Sequence, residues 1–240
     1  MSARFEELAW RPTPMGAISL RRRRDPVSGE DVYEVKLDDD FLMSSVFTVA
    51  EVEVARLALE ELAGADLDVA VGGLGLGYTA QAVLQNSNVG SLVVVEALTE
   101  VIEWHRRGLI PVGAVLTSDS RCRLVQGDFF AMVASSTGLD PETPGRRFHA
   151  VIVDIDHSPR HLLHPSHTGF YTPPGIRRLV DHLHPGGIFS LWSNDPPDES
   201  YEALLAEVFV EVRAQIVSFH NPLQDRESTN TVYLAQRHPH

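Results

Sequence analysis

Residues 68–77 read Asp-Val-Ala-Val-Gly-Gly-Leu-Gly-Leu-Gly, an apolar run that breaks into Gly72, Gly73, Gly75 and Gly77. A second apolar run, from Ser91 to Val95, closes on Glu96. A buried strand that ends in glycines can bring bare backbone close to a ligand. A carboxylate ending the next strand is placed to accept two hydrogen bonds from a ribose diol. The pairing therefore points to a nucleoside. A third acid, Asp128, follows Arg-Leu-Val-Gln-Gly and opens a helix. It reads as a helix N-cap, and its spare lone pairs can also serve an adenine amino group.

A fourth apolar run, Ala150 to Val153, is followed at once by Asp154, then by Asp156 and His157. An acid directly after Val-Ile-Val stands at the mouth of a sheet. Asp154, with Asp156, can bind a cationic substrate or take a proton from an amine; the plainer reading is an acid that caps a helix or braces a loop. His157, His161, His164 and His167 crowd the next loop. Such density suits a metal, but the loop has no cysteine and its prolines prevent one ligand-bearing helix. No metal is expected, and a loop covering the substrate is the reading adopted.

These residues need a scaffold that gathers strand ends. From Asp68 onward the pattern alternates strand and helix. Strands are expected at 68–72, 91–95, 121–125, 148–153 and 186–192, and helices at 78–86, 97–108, 126–135, 173–183 and 198–208. The strands are near-continuous apolar runs, as in parallel sheets covered on both faces. Two last strands, 211–219 and 230–236, lack a crossover helix and should pair antiparallel. Upstream, 48–63 has helical periodicity, with Val49, Val52, Ala55, Leu59 and Leu62 on one stripe and Thr48 as cap. Residues 16–42 read as a β-hairpin. The fold expected is α/β: a Rossmann-like, mostly parallel seven-stranded sheet of methyltransferase type, a C-terminal antiparallel hairpin and a small N-terminal β-hairpin. The division expected is 1–47 for the hairpin segment and 48–240 for the nucleoside-binding catalytic domain. The polar stretch 135–147 is the best site for a tolerated insertion.

Composition narrows the function. The chain has 240 residues, 43% hydrophobic and 22% charged, with a net charge of −13. That charge disfavours nucleic acid, whose phosphates need a basic face. Lys36 is the only lysine, which excludes a Walker-type phosphate loop. The basic run Arg21–Arg24 reads as a solvated strand edge. No apolar run is long enough for a membrane span, the first residues lack the apolar core of a leader, and Cys122 stands alone. A cytoplasmic protein is expected.

Residues from about 40 to 236 resemble the spermidine synthase family, the polyamine aminopropyltransferases, which share the sheet of class I S-adenosylmethionine-dependent methyltransferases. The resemblance rests on Val71–Gly77, Val93–Glu96, Gly127-Asp128, Val151–Asp154, Gly169-Phe-Tyr171 and His184–Ile188, with Leu42–Phe47 similar to the family's entry to its first helix. It implies that the glycine turn and Glu96 hold the nucleoside, that Asp128 faces the adenine and that Asp154 handles the attacking amine. The donor implied is decarboxylated S-adenosylmethionine, the acceptor a small cationic amine such as putrescine, and the assembly a homodimer. Methyl transfer from intact S-adenosylmethionine to an unknown small acceptor, or nucleoside binding without catalysis, are the alternatives. The chain departs from the family at Gly75, where an Asp is usual, at His157, where a second acid is usual, and at Met43, where a glutamine precedes the paired serines. It also lacks the Tyr-His-Glu triplet between Thr48 and Ala63.

Overall fold

The computed structural model describes residues 5–26, 28–222 and 224–239. Residues 1–4, part of the stretch read above for a leader, lie outside them. The chain opens with four strands, β1 (Phe5–Thr13), β2 (Gly16–Arg24), β3 (Asp31–Leu37) and β4 (Asp40–Ser44), forming one antiparallel sheet in sequential order. The expected hairpin is its central pair, with Ile18 opposite Leu37 and Arg24 opposite Asp31. The outer strands escaped notice because Phe-Glu-Glu-Leu-Ala-Trp-Arg-Pro-Thr does not alternate apolar and polar residues, and β4 is only five residues long. The basic run is not an edge. β2 lies between β1 and β3, where Arg22 bonds Glu6 at 2.5 Å and Arg23 bonds Glu34 at 2.7 Å.

The rest alternates as expected: α1 (Val49–Glu60), β5 (Leu67–Gly72), α2 (Tyr78–Gln85), β6 (Val89–Glu96), α3 (Thr99–Arg106), α4 (Gly113–Ser118), β7 (Cys122–Gln126), α5 (Phe129–Ala134), β8 (Phe148–Val153), α6 (Pro173–Asp181), β9 (Leu183–Ser193), α7 (Glu199–Ala206), β10 (Glu211–Asn221) and β11 (Arg226–Gln236). Helix α4 was not foreseen. The seven strands β5–β11 form one sheet in the order β10-β11-β9-β8-β5-β6-β7. Only β11 runs against its neighbours, pairing antiparallel with both β9 and β10. The central strands are buried on both faces, with Val69, Val71, Leu92, Val94, Ala150 and Ile152 on one side and Ala70, Val93, Val95, Val151 and Val153 on the other. That two-sided burial is what continuous apolar runs specify. Among the described residues no helix is long and apolar enough to cross a membrane.

Two local expectations fail. Helix α1 buries Ala50, Val54, Ala55, Leu57, Ala58 and Leu59, while Val49 is exposed. It is wedged against α2 as well as the sheet, so no single stripe records its packing. The Thr48 side chain makes no capping bond. The stretch 135–147 is also no free loop. Leu139 and Asp140 are wholly buried, and Arg146 ties Asp140 to Asp68. Tolerance for insertions narrows to the exposed residues 141–145.

Candidate active site

The carboxyl end of β5 is zipped between its neighbours. Gly73 N donates to Val95 O at 2.9 Å, and Asp154 N donates to Gly72 O at 2.9 Å. This sets Glu96 and Asp154 on opposite sides of the glycine turn. The turn needs glycine for reasons inside the protein. A Cβ on Gly73 (φ +93°) would lie 2.1 Å from the Asp154 carbonyl oxygen, and one on Gly75 (φ +47°) 2.6 Å from Met43 Sδ. Positive φ disfavours a side chain at both positions, and at Gly73 the backbone contact excludes one. Gly72 and Gly77 are crowded too, by Phe129 and by His105 with Leu116. The sequence argument attributed these glycines to ligand approach; close packing of the chain on itself is a further constraint on them.

Glu96 grips the same turn. Its two carboxylate oxygens accept from Leu74 N (3.0 Å) and Leu98 N (2.8 Å). Burial pushes its pKa up, against the pull of backbone amides at Leu98, Leu74, Gly75 and Ala97. His105 braces the turn from below. A carbonyl can only accept, so its Nε2–H donates to Gly75 O at 2.8 Å, leaving Nδ1 bare and buried without a partner. Asp128 caps α5, accepting from Phe130 N (2.9 Å) and Ala131 N (3.1 Å), both on Oδ1. The N-cap reading therefore holds, and Oδ2 is left over for a second role.

Two cavities open at this end of the sheet. One, of about 300 Å³, is walled by Gly73, Glu96, Asp128, Phe129 and Phe130. The other, of about 750 Å³, is walled by Glu51, Tyr78, Thr79, His157 and Trp192. They share Met43, Gly75, Asp154 and Ile155. The Asp154 carboxylate thus stands at their junction. Its Oδ2 accepts from Thr79 Oγ1 at 2.6 Å, and burial raises its pKa while that hydroxyl lowers it.

Residues 58–218 match the family described as the spermine/spermidine synthase domain. The chain belongs to this family. It is a transferase of the aminopropyltransferase type. No curated protein matches it significantly. Two solved structures share its fold. The spermidine synthase from Thermotoga maritima has a TM-score of 0.73 at 18% identity, over 96% of this chain and 72% of that one. A spermidine synthase in complex with the transition-state analogue AdoDATO has a TM-score of 0.71 at 17% identity, with the same coverage of 96% and 72%.

Within this family member the expected catalytic cluster separates. His157 lines the large cavity beside Asp154. Asp156 does not line either cavity. It is 2% exposed and accepts from Leu163 N (2.7 Å), His167 Nδ1 (2.8 Å) and Tyr171 Oη (3.0 Å). These bonds tie Asp156 to the stretch 163–171. The loop histidines do not converge. His161 bonds Asp195, His164 bonds Ser166, and His167 bonds Asp156 under the Phe130 ring. Among the described residues, one His/acid trio brings its ligand atoms within 4.8 Å of one another: Asp68, His149 and His184, at the opposite end of the sheet. There Asp68 is already paired with Arg146, and His149 Nδ1 accepts from Asp68 N at 2.9 Å.

The sequence reading missed Glu51, Thr79 and Trp192. Glu51 Oε2 and Trp192 Nε1 are buried without a partner, and both residues line the large cavity. Burial, and then the nearby Asp154 carboxylate, pushes the Glu51 pKa well above the ordinary range. The available signal was an acid in the first turn of the helix, between Ala50 and Val52, where an acid is normally assigned to the helix dipole.

Proposed function

We propose that the protein transfers the aminopropyl group of decarboxylated S-adenosylmethionine to a small cationic amine such as putrescine. The observation that carries this reading is the junction of two cavities at Asp154. The smaller, mostly apolar one suits an adenosyl group. Glu96 would accept from the ribose diol, and Asp128 Oδ2 would accept from the adenine amino group. The larger one suits the acceptor. The reacting carbon then lies where the two meet.

Displacement at a carbon activated by a sulfonium needs little covalent help. The amine nitrogen forms a bond to that carbon, the carbon–sulfur bond breaks, and a neutral thioether leaves. The protein must hold the two reactants in line and remove one proton from the amine. Asp154, desolvated and oriented by Thr79, is placed to take it. His157 is a further titratable group on the wall of the same cavity.

Methyl transfer would use an intact donor, whose carboxylate calls for a cationic or amide-rich contact. Among the described residues lining the smaller cavity there is no Arg or Lys. This favours the decarboxylated donor. Purified protein incubated separately with each donor and a panel of amines tests the reading, with mass detection of the thioether nucleoside. Product from the decarboxylated donor alone is expected. Product from the intact donor alone would replace this reading with methyl transfer. A homodimer belongs to the same proposal. Phe5 and Trp10 are exposed on β1, an edge strand of the N-terminal sheet, and sedimentation at micromolar concentration tests it.

A further inference from the structure

Glu51 has no structural employment. It sits in the first turn of α1, yet its Oε2 is buried with no hydrogen-bond partner. An unpaired buried carboxylate is among the costlier features a fold can carry. A residue kept only for the helix dipole would reach solvent or the helix amides. Glu51 instead lines the large cavity, close enough to Asp154 for their charges to oppose each other. Tyr78 faces it from α2, its phenol pushed up first by burial and then by the Glu51 charge. The charged side chains on the walls of that cavity are Glu51, Asp154, Arg226 and Glu227, with His157 titratable among them. Arg226 is at the start of β11 and bonds Gln224 at 2.6 Å, not Glu51.

We propose that Glu51 is the residue that selects the acceptor: it takes the distal ammonium of a diamine whose other nitrogen lies at Asp154. This rests on the reading that the large cavity holds the acceptor. Of the three carboxylates on the cavity wall Glu227 is exposed; the other two, neither with a cationic partner among the described residues, match a ligand with two separated positive ends. A monoamine fills only one of them. Glu51 is thus a specificity residue and Asp154 the reacting one. The two roles separate by measurement: loss at Glu51 falls on acceptor affinity, loss at Asp154 on turnover.

The test is calorimetric binding of 1,4-diaminobutane and of 1-aminobutane to the whole protein, alone and saturated with methylthioadenosine, for the native chain and Glu51→Gln. The native chain is expected to bind the diamine at least about tenfold tighter than the monoamine, since one charged hydrogen-bonded contact is worth a factor of that order. Glu51→Gln should erase that preference by weakening the diamine and sparing the monoamine. Its melting temperature should equal or exceed the native one, because a buried unpaired charge is gone. Glu51→Asp should recover part of the preference and guards against a folding artefact. An unchanged diamine affinity in a folded Glu51→Gln would overturn the assignment. So would a native chain that binds neither amine, or a variant that melts lower and loses both. Transfer is scored separately. Glu51-dependent diamine binding without thioether product keeps the cation site and removes the aminopropyl reading. Transfer indifferent to Glu51 keeps the reading and removes this residue from it.

Discussion

The two ends of the central sheet treat buried acids in opposite ways. At the amino end Asp68 and Asp140 are matched by arginines. Asp68 bonds Arg146 Nη2 at 2.5 Å, and Asp140 bonds Arg146 Nη1 at 3.0 Å and Arg123 Nη2 at 2.5 Å. Burial pushes the Asp140 carboxyl up, but the two arginines and the Glu142 amide outweigh it and hold it below its ordinary value. At the carboxyl end the acids Glu96, Asp154 and Glu51 have no arginine or lysine among their bonded partners, and burial raises all three. The same desolvation acts at both ends. What differs is whether the protein supplies the countercharge. A chain of net charge −13 with a single lysine spends arginines on the end that holds the fold together. It leaves the other end short of positive charge, a field suited to the cationic donor and cationic acceptor proposed above.

Removing a carboxylate therefore has a different consequence at each end. The largest effect is expected at Asp154. Asp154→Asn keeps shape and can still accept from Thr79, but it cannot take a proton. Turnover should fall by about 10²- to 10⁴-fold with melting temperature and donor affinity nearly intact. Steady-state rates together with a melting curve check this. If His157→Ala loses the rate while Asp154→Asn does not, the proton acceptor is the histidine.

Glu96→Ala comes next. It removes the acceptor proposed for the ribose diol, a loss of about 2–3 kcal/mol because the acceptor is charged. Methylthioadenosine affinity measured by calorimetry should drop by roughly 30- to 150-fold. The change also frees the amides of Leu74 and Leu98, so some loss of melting temperature should accompany it. Undiminished affinity in a folded variant would remove Glu96 from the nucleoside site. At the amino end, Asp140→Asn should do the reverse. It leaves Arg123 and Arg146 short of a partner, at a cost on the order of 2 kcal/mol, below the full figure for a buried pair because both arginines are partly exposed. Denaturant unfolding reads the loss, and turnover at a temperature where the variant is folded should be unchanged.

The carboxyl end was largely legible before any coordinates, for a physical reason. Parallel strands buried on both faces are written as unbroken apolar runs, so the residue that ends each run is marked. Glu96 and Asp154 were singled out in this way, and Asp128 by the helix that it opens. Asp156 was grouped with Asp154 because its spacing says that it is near the strand end but not which way it turns. His167 and Tyr171, which turn it inward, come from a loop whose path no periodicity records. Glu51 was missed for a related reason. Helix α1 packs on more than one neighbour, its true face starts at Ala50 and Val54, and the acid between them looked like an ordinary first-turn residue. The N-terminal sheet was read at half its size because β1 carries charge on both faces and β4 is only five residues long.

The smallest effect expected lies beneath the glycine turn, where His105 is 1% exposed and donates to Gly75 O. Burial lowers its pKa, with the bond to Gly75 opposing. A second proton would have to sit on Nδ1, which has no partner. Below roughly pH 6.5 an unfolded histidine takes up a proton that the folded one resists. The unfolded state then binds more protons, so this group's contribution is present above that pH and is lost as pH falls toward the depressed folded value. His105→Gln keeps an N–H for Gly75 but does not titrate. The native protein should therefore lose melting temperature faster than the variant between pH 7.5 and 5, by about 2–4 °C at most for a chain of this size. Raised carboxylates at the same end respond in the opposite sense. A buried Glu with a raised pKa costs stability at neutral pH, and that cost is relieved as pH falls. The comparison with His105→Gln isolates the histidine from them, since both proteins carry the same acids. A melting difference that stays constant across the range would show that His105 does not titrate with unfolding, and that the turn is held by Glu96 and the strand-end amides alone.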